Sequence, residues 1–132
     1  MKTEIYMYEI EHTEYGLQLT IEGTPSGTEA AELAAEVRSA VENISGSFHI
    51  LVDLRRLDIY TEEAASEMTD LMGFCKRNGL DRSASVVGST TSEMQISRLV
   101  DAAGADERVI NENQVDDWEE TALQWIEDGV ES

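Results

Sequence analysis

The sequence predicts an α/β domain with a mostly parallel central sheet, an antiparallel edge hairpin and flanking helices, in the order ββαβαβαβα. Two observations carry this prediction. After an opening pair of alternating apolar and polar segments, helix-periodic stretches and short apolar runs take turns along the chain, which is the pattern of strand, crossover helix and strand. The segment Phe48-His49-Ile50-Leu51-Val52-Asp53-Leu54 is almost continuously apolar, as a strand covered on both faces must be.

Each element follows from local pattern. Glu4 to Ile10 and Gly16 to Ile21 alternate apolar and polar positions around a polar connector, His12 to Tyr15, and so predict a hairpin. Gly23-Thr24-Pro25-Ser26-Gly27 is a cluster of turn residues. Beyond it Leu33, Val37, Val41 and Ile44 recur at helical spacing, predicting a helix through Asn43 that Ser45-Gly46-Ser47 ends. The central strand comes next, over Phe48 to Leu54. Thr61 is then placed to cap a second helix with Glu62 and Glu63 in its first turn; Ala64, Met68, Leu71, Met72 and Cys75 share one face, and Asn78-Gly79 closes it. Ser83 to Val87 returns as a strand. Thr91 or Ser92 is expected to cap a third helix, striped by Ile96, Leu99, Val100 and Ala103 and ended by Gly104. Arg108 to Asn111 predicts a short last strand. Trp118, Ala122, Trp125 and Ile126 fall on one face of a closing helix from about Asp116 to Gly129. No repeat, linker or low-complexity segment interrupts the alternation, so residues 1–132 are assigned to one domain.

With 132 residues, 41% of them apolar, the chain can furnish one core without a disulfide or a structural metal. Its single cysteine, Cys75, has no partner in the chain, so an oxidising compartment is not implied. Met1 to Glu14 lacks the basic start and continuous apolar stretch of a signal peptide. The longest aliphatic run, Ile50-Leu51-Val52, is far short of the roughly 20 residues that cross a bilayer, so a cytoplasmic protein without a membrane span is expected.

Charge is the most unusual property of the sequence. Its 28 acids against 9 bases give a net charge of −19, whereas small soluble domains are comfortable at a magnitude of about 2 to 8. Such a field opposes DNA, RNA and anionic membranes, whose binding rests on lysine and arginine, and no nucleic-acid partner is expected. The acids are spread along the whole chain, and only Lys2 and Lys76 are lysine, a composition expected of a halophilic protein.

Two segments carry a resemblance. Ala84-Ser85-Val86-Val87-Gly88 is a buried-type strand ending in glycine, and Trp118-Glu119-Glu120-Thr121-Ala122-Leu123-Gln124-Trp125-Ile126 is the closing helix. Taken with the element order, they make the whole chain resemble the SpoIIAA-like family and, more broadly, the STAS domains of anti-sigma factor antagonists. The resemblance implies a regulatory module that docks on a protein partner. SpoIIAA-like proteins are also similar in fold to Sec14-type lipid-binding domains, which implies an alternative function, carrying or sensing a small hydrophobic, lipid-like molecule. In the antagonists an Asp-Ser-Ser-Gly motif opens the helix after the central strand and carries the regulatory phosphoserine. The matching residues here are Thr61-Glu62-Glu63-Ala64, with Glu63 in the place of that serine, so control by phosphorylation at this position is not expected. Glu63 is either a fixed charge imitating the phosphate or an ordinary acid in a helix's first turn. The ordinary role is favoured, because such acids are common there and contribute about 0.3 to 1 kcal/mol.

Open α/β sheets place ligands at the carboxyl ends of their strands, here Asp53 to Thr61, Gly88 to Glu93 and Asn111 to Gln114. The candidate partner surface is Asp53, Arg55, Asp58, Tyr60, Thr61, Glu62 and Glu63. The candidate ligand loop is Gly88, Ser89, Thr90, Thr91 and Ser92, whose hydroxyls and backbone donors at a helix start can hold a phosphate or carboxylate. It lacks the lysine and glycine spacing of a P-loop, and simple capping is the favoured role. His12 and His49 have no ligand-spaced companions, so no metal and no cofactor are expected. Cys75 falls on an apolar stripe and reads as an inert core thiol. Met68, Met72 and Met94 either line an adaptable apolar pocket under the second and third helices or fill core gaps, with core filling favoured. The loops show hydroxyls and carboxylates without a nucleophile and base set up to react, so a non-enzymatic role is expected. An apolar helix face left exposed would point to a homodimer.

The charge balance sets a test in solution. Screening shortens from about 10 Å at 0.1 M salt to about 3 Å at 1 M, so the melting temperature of a halophilic chain should rise as potassium chloride enters the molar range. A circular-dichroism melt that is indifferent to salt would identify an ordinary acidic protein instead.

Overall fold

Strands that alternate at period two and helices that carry one apolar stripe can bury both only by layering, and this chain does so in the predicted order. The computed structural model describes residues 6–104 and 106–129. Its elements are β1 (Tyr6–His12), β2 (Gly16–Gly23), α1 (Gly27–Glu42), β3 (Phe48–Leu54), α2 (Glu62–Arg77), β4 (Leu80–Val87), α3 (Thr90–Ala103), β5 (Glu107–Asn111) and α4 (Trp118–Asp128). The predicted start of the first strand, Glu4 and Ile5, lies outside the described residues. The five strands lie side by side in sequence order, with β1 antiparallel to β2 and all other neighbours parallel. The mixed sheet with its antiparallel edge is the predicted one.

Several boundaries differ from the sequence expectation. The strand β4 begins at Leu80 rather than Ser83, β5 begins at Glu107 rather than Arg108, and a 3-10 turn over Glu112–Gln114 was not expected. The cap of α3 is Ser89, which accepts from the Ser92 backbone N–H at 3.1 Å, and not Thr91 or Ser92. A serine directly after a strand-ending glycine can cap only the turn that begins next, so the helix starts two residues earlier. The other caps are those the sequence offered: Thr61 for α2, and left-handed Gly104 and Gly129 at the ends of α3 and α4.

The sheet is covered unequally. On one face Leu17, Leu19 and Ile21 of β2, Ile50 and Leu54 of β3 and Val87 of β4 meet α1, α2 and α3 in the larger core. On the other face Leu51, Ala84, Val86 and Ile110 meet Ala122, Trp125 and Ile126 of α4, which packs over β3, β4 and β5. Gln18, Thr20 and Glu22 of β2 point to that second face and stay partly exposed, so β2 alternates where β3 and β4 do not. At the hairpin turn, Gly16 has φ +145°, and a Cβ there would stand 2.2 Å from the His49 carbonyl oxygen. Glycine is what lets β2 start hard against β3.

The lone helix α4 is held by its C-terminus. Arg82 of β4 donates from Nε to the carbonyls of Trp125 (2.9 Å) and Ile126 (3.2 Å), and from Nη2 to those of Ile126 (2.9 Å) and Glu127 (3.2 Å). These carbonyls belong to the last turn of the helix, where Trp125 also accepts from the Gly129 N–H at 2.8 Å and a cation meets the negative end of the dipole. In return the Trp125 indole Nε1 donates to the Ser83 carbonyl at 2.8 Å. Replacing Arg82 by alanine should lower stability by about 1.5 to 3 kcal/mol, the range for losing hydrogen bonds to a charged group. Urea denaturation at constant salt measures it, and a loss confined to a few tenths would show that α4 is held by packing alone.

Candidate functional site

The carboxyl ends of the four parallel strands bring together the loops singled out in the sequence. Asp53, almost at the end of β3 and buried, accepts from the Arg55 backbone N–H at 3.1 Å and from both Nε and Nη2 of the Arg55 guanidinium at 2.9 Å. The same guanidinium lies 4.3 Å above the Trp118 ring at the start of α4. Its hydrogen bond to Asp53 raises Arg55 above the ordinary arginine value, so the guanidinium keeps its charge there. Asp53 and Arg55 thus join the central strand to α4.

The β3 and β4 ends abut closely. A Cβ on Gly88 would come within 2.5 Å of the Arg55 carbonyl oxygen and 3.2 Å of Glu112 Oε2, so a side chain at this strand-ending position would force the loops apart. Asn113 Nδ2 donates to the Gly88 carbonyl at 3.1 Å, and Asn111 Nδ2, from the end of β5, donates to Glu93 Oε1 at 3.2 Å. Of the candidate ligand loop, Ser89 caps α3, Ser92 is buried with its hydroxyl directed at the Asp58 carbonyl (3.3 Å), and Thr90 and Thr91 face solvent. Two of the four hydroxyls are therefore engaged in holding the loop itself.

The candidate partner surface divides in the same way. Tyr60 turns into the core at 4% exposure, and Thr61 is the α2 cap, accepting from the Ala64 N–H at 3.1 Å. Asp58, Glu62 and Glu63 remain exposed. Glu63 lies in the first turn of α2, where an acid is favoured by the dipole. Sequence reasoning missed Gln95, which clamps Tyr60 from both sides: its Oε1 accepts from the Tyr60 N–H and its Nε2 donates to the Tyr60 carbonyl, both at 2.9 Å. It also missed Ile59 and Met94, the exposed large hydrophobics among the described residues, at 43% and 54%. Met94 does not line the interior with Met68 and Met72. Its place two residues before Ile96, off the apolar stripe of α3, was the available signal.

The remaining candidates are structural. His49 Nδ1 accepts from the Arg82 backbone N–H at 3.2 Å at the end of the sheet opposite the loops. Burial pushes the Cys75 thiol up to about 12, so it stays protonated and inert in the core, as expected. Among the described residues no group of His, Cys, Asp and Glu is arranged to hold a metal. No described helix is long and apolar enough to cross a membrane.

One acid stands apart from the surface acids. Glu107, at the start of β5, directs its carboxyl into a cavity of about 50 Å³ between the sheet, α2 and α3. Ser83 and Ser85 of β4 donate to its two oxygens at 2.6 and 2.5 Å. Burial raises its pKa above the ordinary carboxyl value, and the two hydroxyl bonds offset only part of that rise. A carboxyl raised on folding contributes stability that is fully present below its unfolded pKa and is lost as pH rises through the folded one. Glu107→Gln should therefore be more stable than the parent at neutral pH, with the difference closing as pH falls below the ordinary carboxyl range. Paired urea titrations across pH at constant high salt would reveal it. A pH-independent difference would mean that the carboxyl ionises as freely folded as unfolded.

No protein-family model and no curated protein matches the chain. Among solved structures it is similar to an uncharacterized protein of the DUF3478 family from Shewanella loihica PV-4, which has a SpoIIAA-like fold. The match has a TM-score of 0.63 at 18% identity and covers 96% of this chain and 98% of that one. Over almost its whole length, the chain therefore has the SpoIIAA-like fold that its element order predicts.

Proposed function

We propose that this chain is a non-enzymatic regulatory module that docks a basic protein partner through the junction of the β3–α2 loop with the start of α3. The observation that carries this is the placement of Ile59 and Met94. The neighbours of Ile59 are pinned to α3 on either side of Met94: the Asp58 carbonyl accepts from Ser92, and Tyr60 is clamped by Gln95. Two large apolar side chains therefore stand exposed on one rigidly tied patch, while the other large apolar side chains among the described residues are buried or partly buried. Asp58, Glu62 and Glu63 rim the patch from the loop and α2, and the chain as a whole carries −19. Apolar anchors inside an acidic rim favour a partner whose surface offers apolar recesses among lysines and arginines, with the field speeding encounter and the anchors setting the dwell time.

The alternative, carriage of a lipid-like molecule, is less well supported. Pockets for such ligands run to roughly 300–1,000 Å³, and the interior cavity between α2, α3 and the sheet is about 50 Å³. A docking role also needs no reactive group, which suits a carboxyl edge whose polar side chains are largely occupied with one another.

Site-specific photocrosslinking in the host cell tests the proposal. A crosslinker at Ile59 or Met94 should trap one and the same partner of basic surface, a crosslinker at Glu42 or Glu119 should not, and Met94→Asp should abolish the adduct from position 59, as Ile59→Asp should abolish that from position 94, without lowering stability. The proposal fails if all four positions trap the same mixture, if none traps anything, or if the trapped partner is acidic.

A further inference from the structure

The carboxyl of Glu107 has no place in the docking surface and is at odds with its surroundings. Its cavity is lined by Leu71, Met72, Cys75, Ile96 and Leu99 from α2 and α3, with Tyr60 at one end, and its polar groups besides that phenol are Ser83, Ser85 and Glu107. Carboxyl groups are almost never enclosed unless paired, because the charge loses its hydration when it leaves water. The partners of Glu107 are two neutral hydroxyls. Each hydroxyl donates to a different oxygen of the carboxyl, which fixes the orientation of Glu107 in the cavity. Two hydroxyls occupy two of the roughly four acceptor positions of a carboxylate and leave the others open.

Space and access are both present. A water needs roughly 10–15 Å³ of such volume, so about 50 Å³ accommodates a molecule of roughly three to five non-hydrogen atoms. Met72, Leu80 and Glu107 keep partial exposure and give a small molecule a way in. A flexible methionine at the entrance can shift to admit it.

We propose that this cavity binds a small aliphatic amine in its ammonium form, with Glu107 as counter-ion, Ser83 and Ser85 fixing the carboxylate, and Leu71, Met72 and Leu99 enclosing the carbons. A lipid tail is too large for the space, and an anionic ligand would meet the carboxylate directly. A neutral alcohol of the same size would satisfy the apolar wall but leave the charge without a partner. The negative field of the chain concentrates cations around it and so assists capture, while the enclosed carboxylate supplies selectivity among them.

The test is an NMR titration of labelled full-length protein with propylammonium chloride, 1-propanol and sodium propionate, in molar potassium chloride so that counter-ion binding to surface acids is screened. Propylammonium should saturate, shifting the methyl signals of Met68 and Met72 and the amides of Ser83 to Ser85. Propanol should bind at least about tenfold more weakly, and propionate not at all. Glu107→Gln should reduce propylammonium to the affinity of propanol. Met72→Trp, which fills the cavity and leaves the carboxyl in place, should abolish binding of both and guards against a Glu107 variant that fails to fold. Equal binding of propanol and propylammonium, tighter binding of propionate, shifts confined to exposed acids, or preference retained in Glu107→Gln would each overturn the proposal.

Discussion

A parallel sheet has to be shielded on both faces, and this chain has three helices for one face and a single helix for the other. Most of the molecule follows from that imbalance. The strands β3 and β4 lie under helices on both sides and carry apolar residues at nearly every position, whereas β2, beyond the reach of α4, alternates. One amphipathic helix of 11 residues is marginal alone in water, so it must be tied to the sheet by more than its stripe. Arg82 at its C-terminus and the Arg55–Trp118 contact at its N-terminus provide ties at both ends.

The same imbalance shapes the carboxyl edge. Because α4 starts beside the end of β3, Asp53 and Arg55 are drawn into linking those two elements. Because α3 starts directly after Gly88, its first turn must be satisfied by Ser89 and by the loop from Leu57 to Tyr60. An edge so knitted has little freedom to reorganise around a substrate, but it holds exposed residues in fixed positions. Fixed apolar anchors lose little entropy on association, which is what a docking face requires.

The fold was legible in the sequence because its signals are local and redundant. Phe48–Leu54 has the short, nearly continuous apolar run of a strand covered on both faces, and Thr61, Gly104 and Gly129 marked helix ends through chemistry that acts within one turn. The boundaries that slipped depended on tertiary contact. Leu80 and Asp81 join β4 only because Phe48 lies opposite Leu80, and Ser89 takes the cap from Ser92 because the Ser92 hydroxyl is drawn to the Asp58 carbonyl 34 residues away. Individual site residues were less legible for the same reason. Gln95, Ile59 and Met94 acquire meaning only when the β3–α2 loop lies on α3, a contact without any local signature. Glu107 stayed hidden because the last strand was started one residue late. Once the strand includes it, period two places Glu107 with Val109 on the face opposite Ile110, which turns an acid toward the larger core.

Glu107 faces the larger core with two serine hydroxyls as its partners, whereas the buried Asp53 is paired with Arg55. Among 28 acids, the exposed ones cost nothing in desolvation and interact weakly through water, so their number says little about any single one. Glu107 is different in kind: a glutamine of the same shape could accept from one serine and donate to the other without carrying a charge. A sequence tuned only for stability has no physical use for the carboxylate here. Departures from local consistency concentrate at functional positions, where a cost in folding is offset by what the group does. Tyr60 adds a geometric reason to look there, since its ring lines the cavity while its backbone holds the loop that presents Ile59. Tyr60 thus belongs both to the lining of the cavity that holds Glu107 and to the loop that presents Ile59.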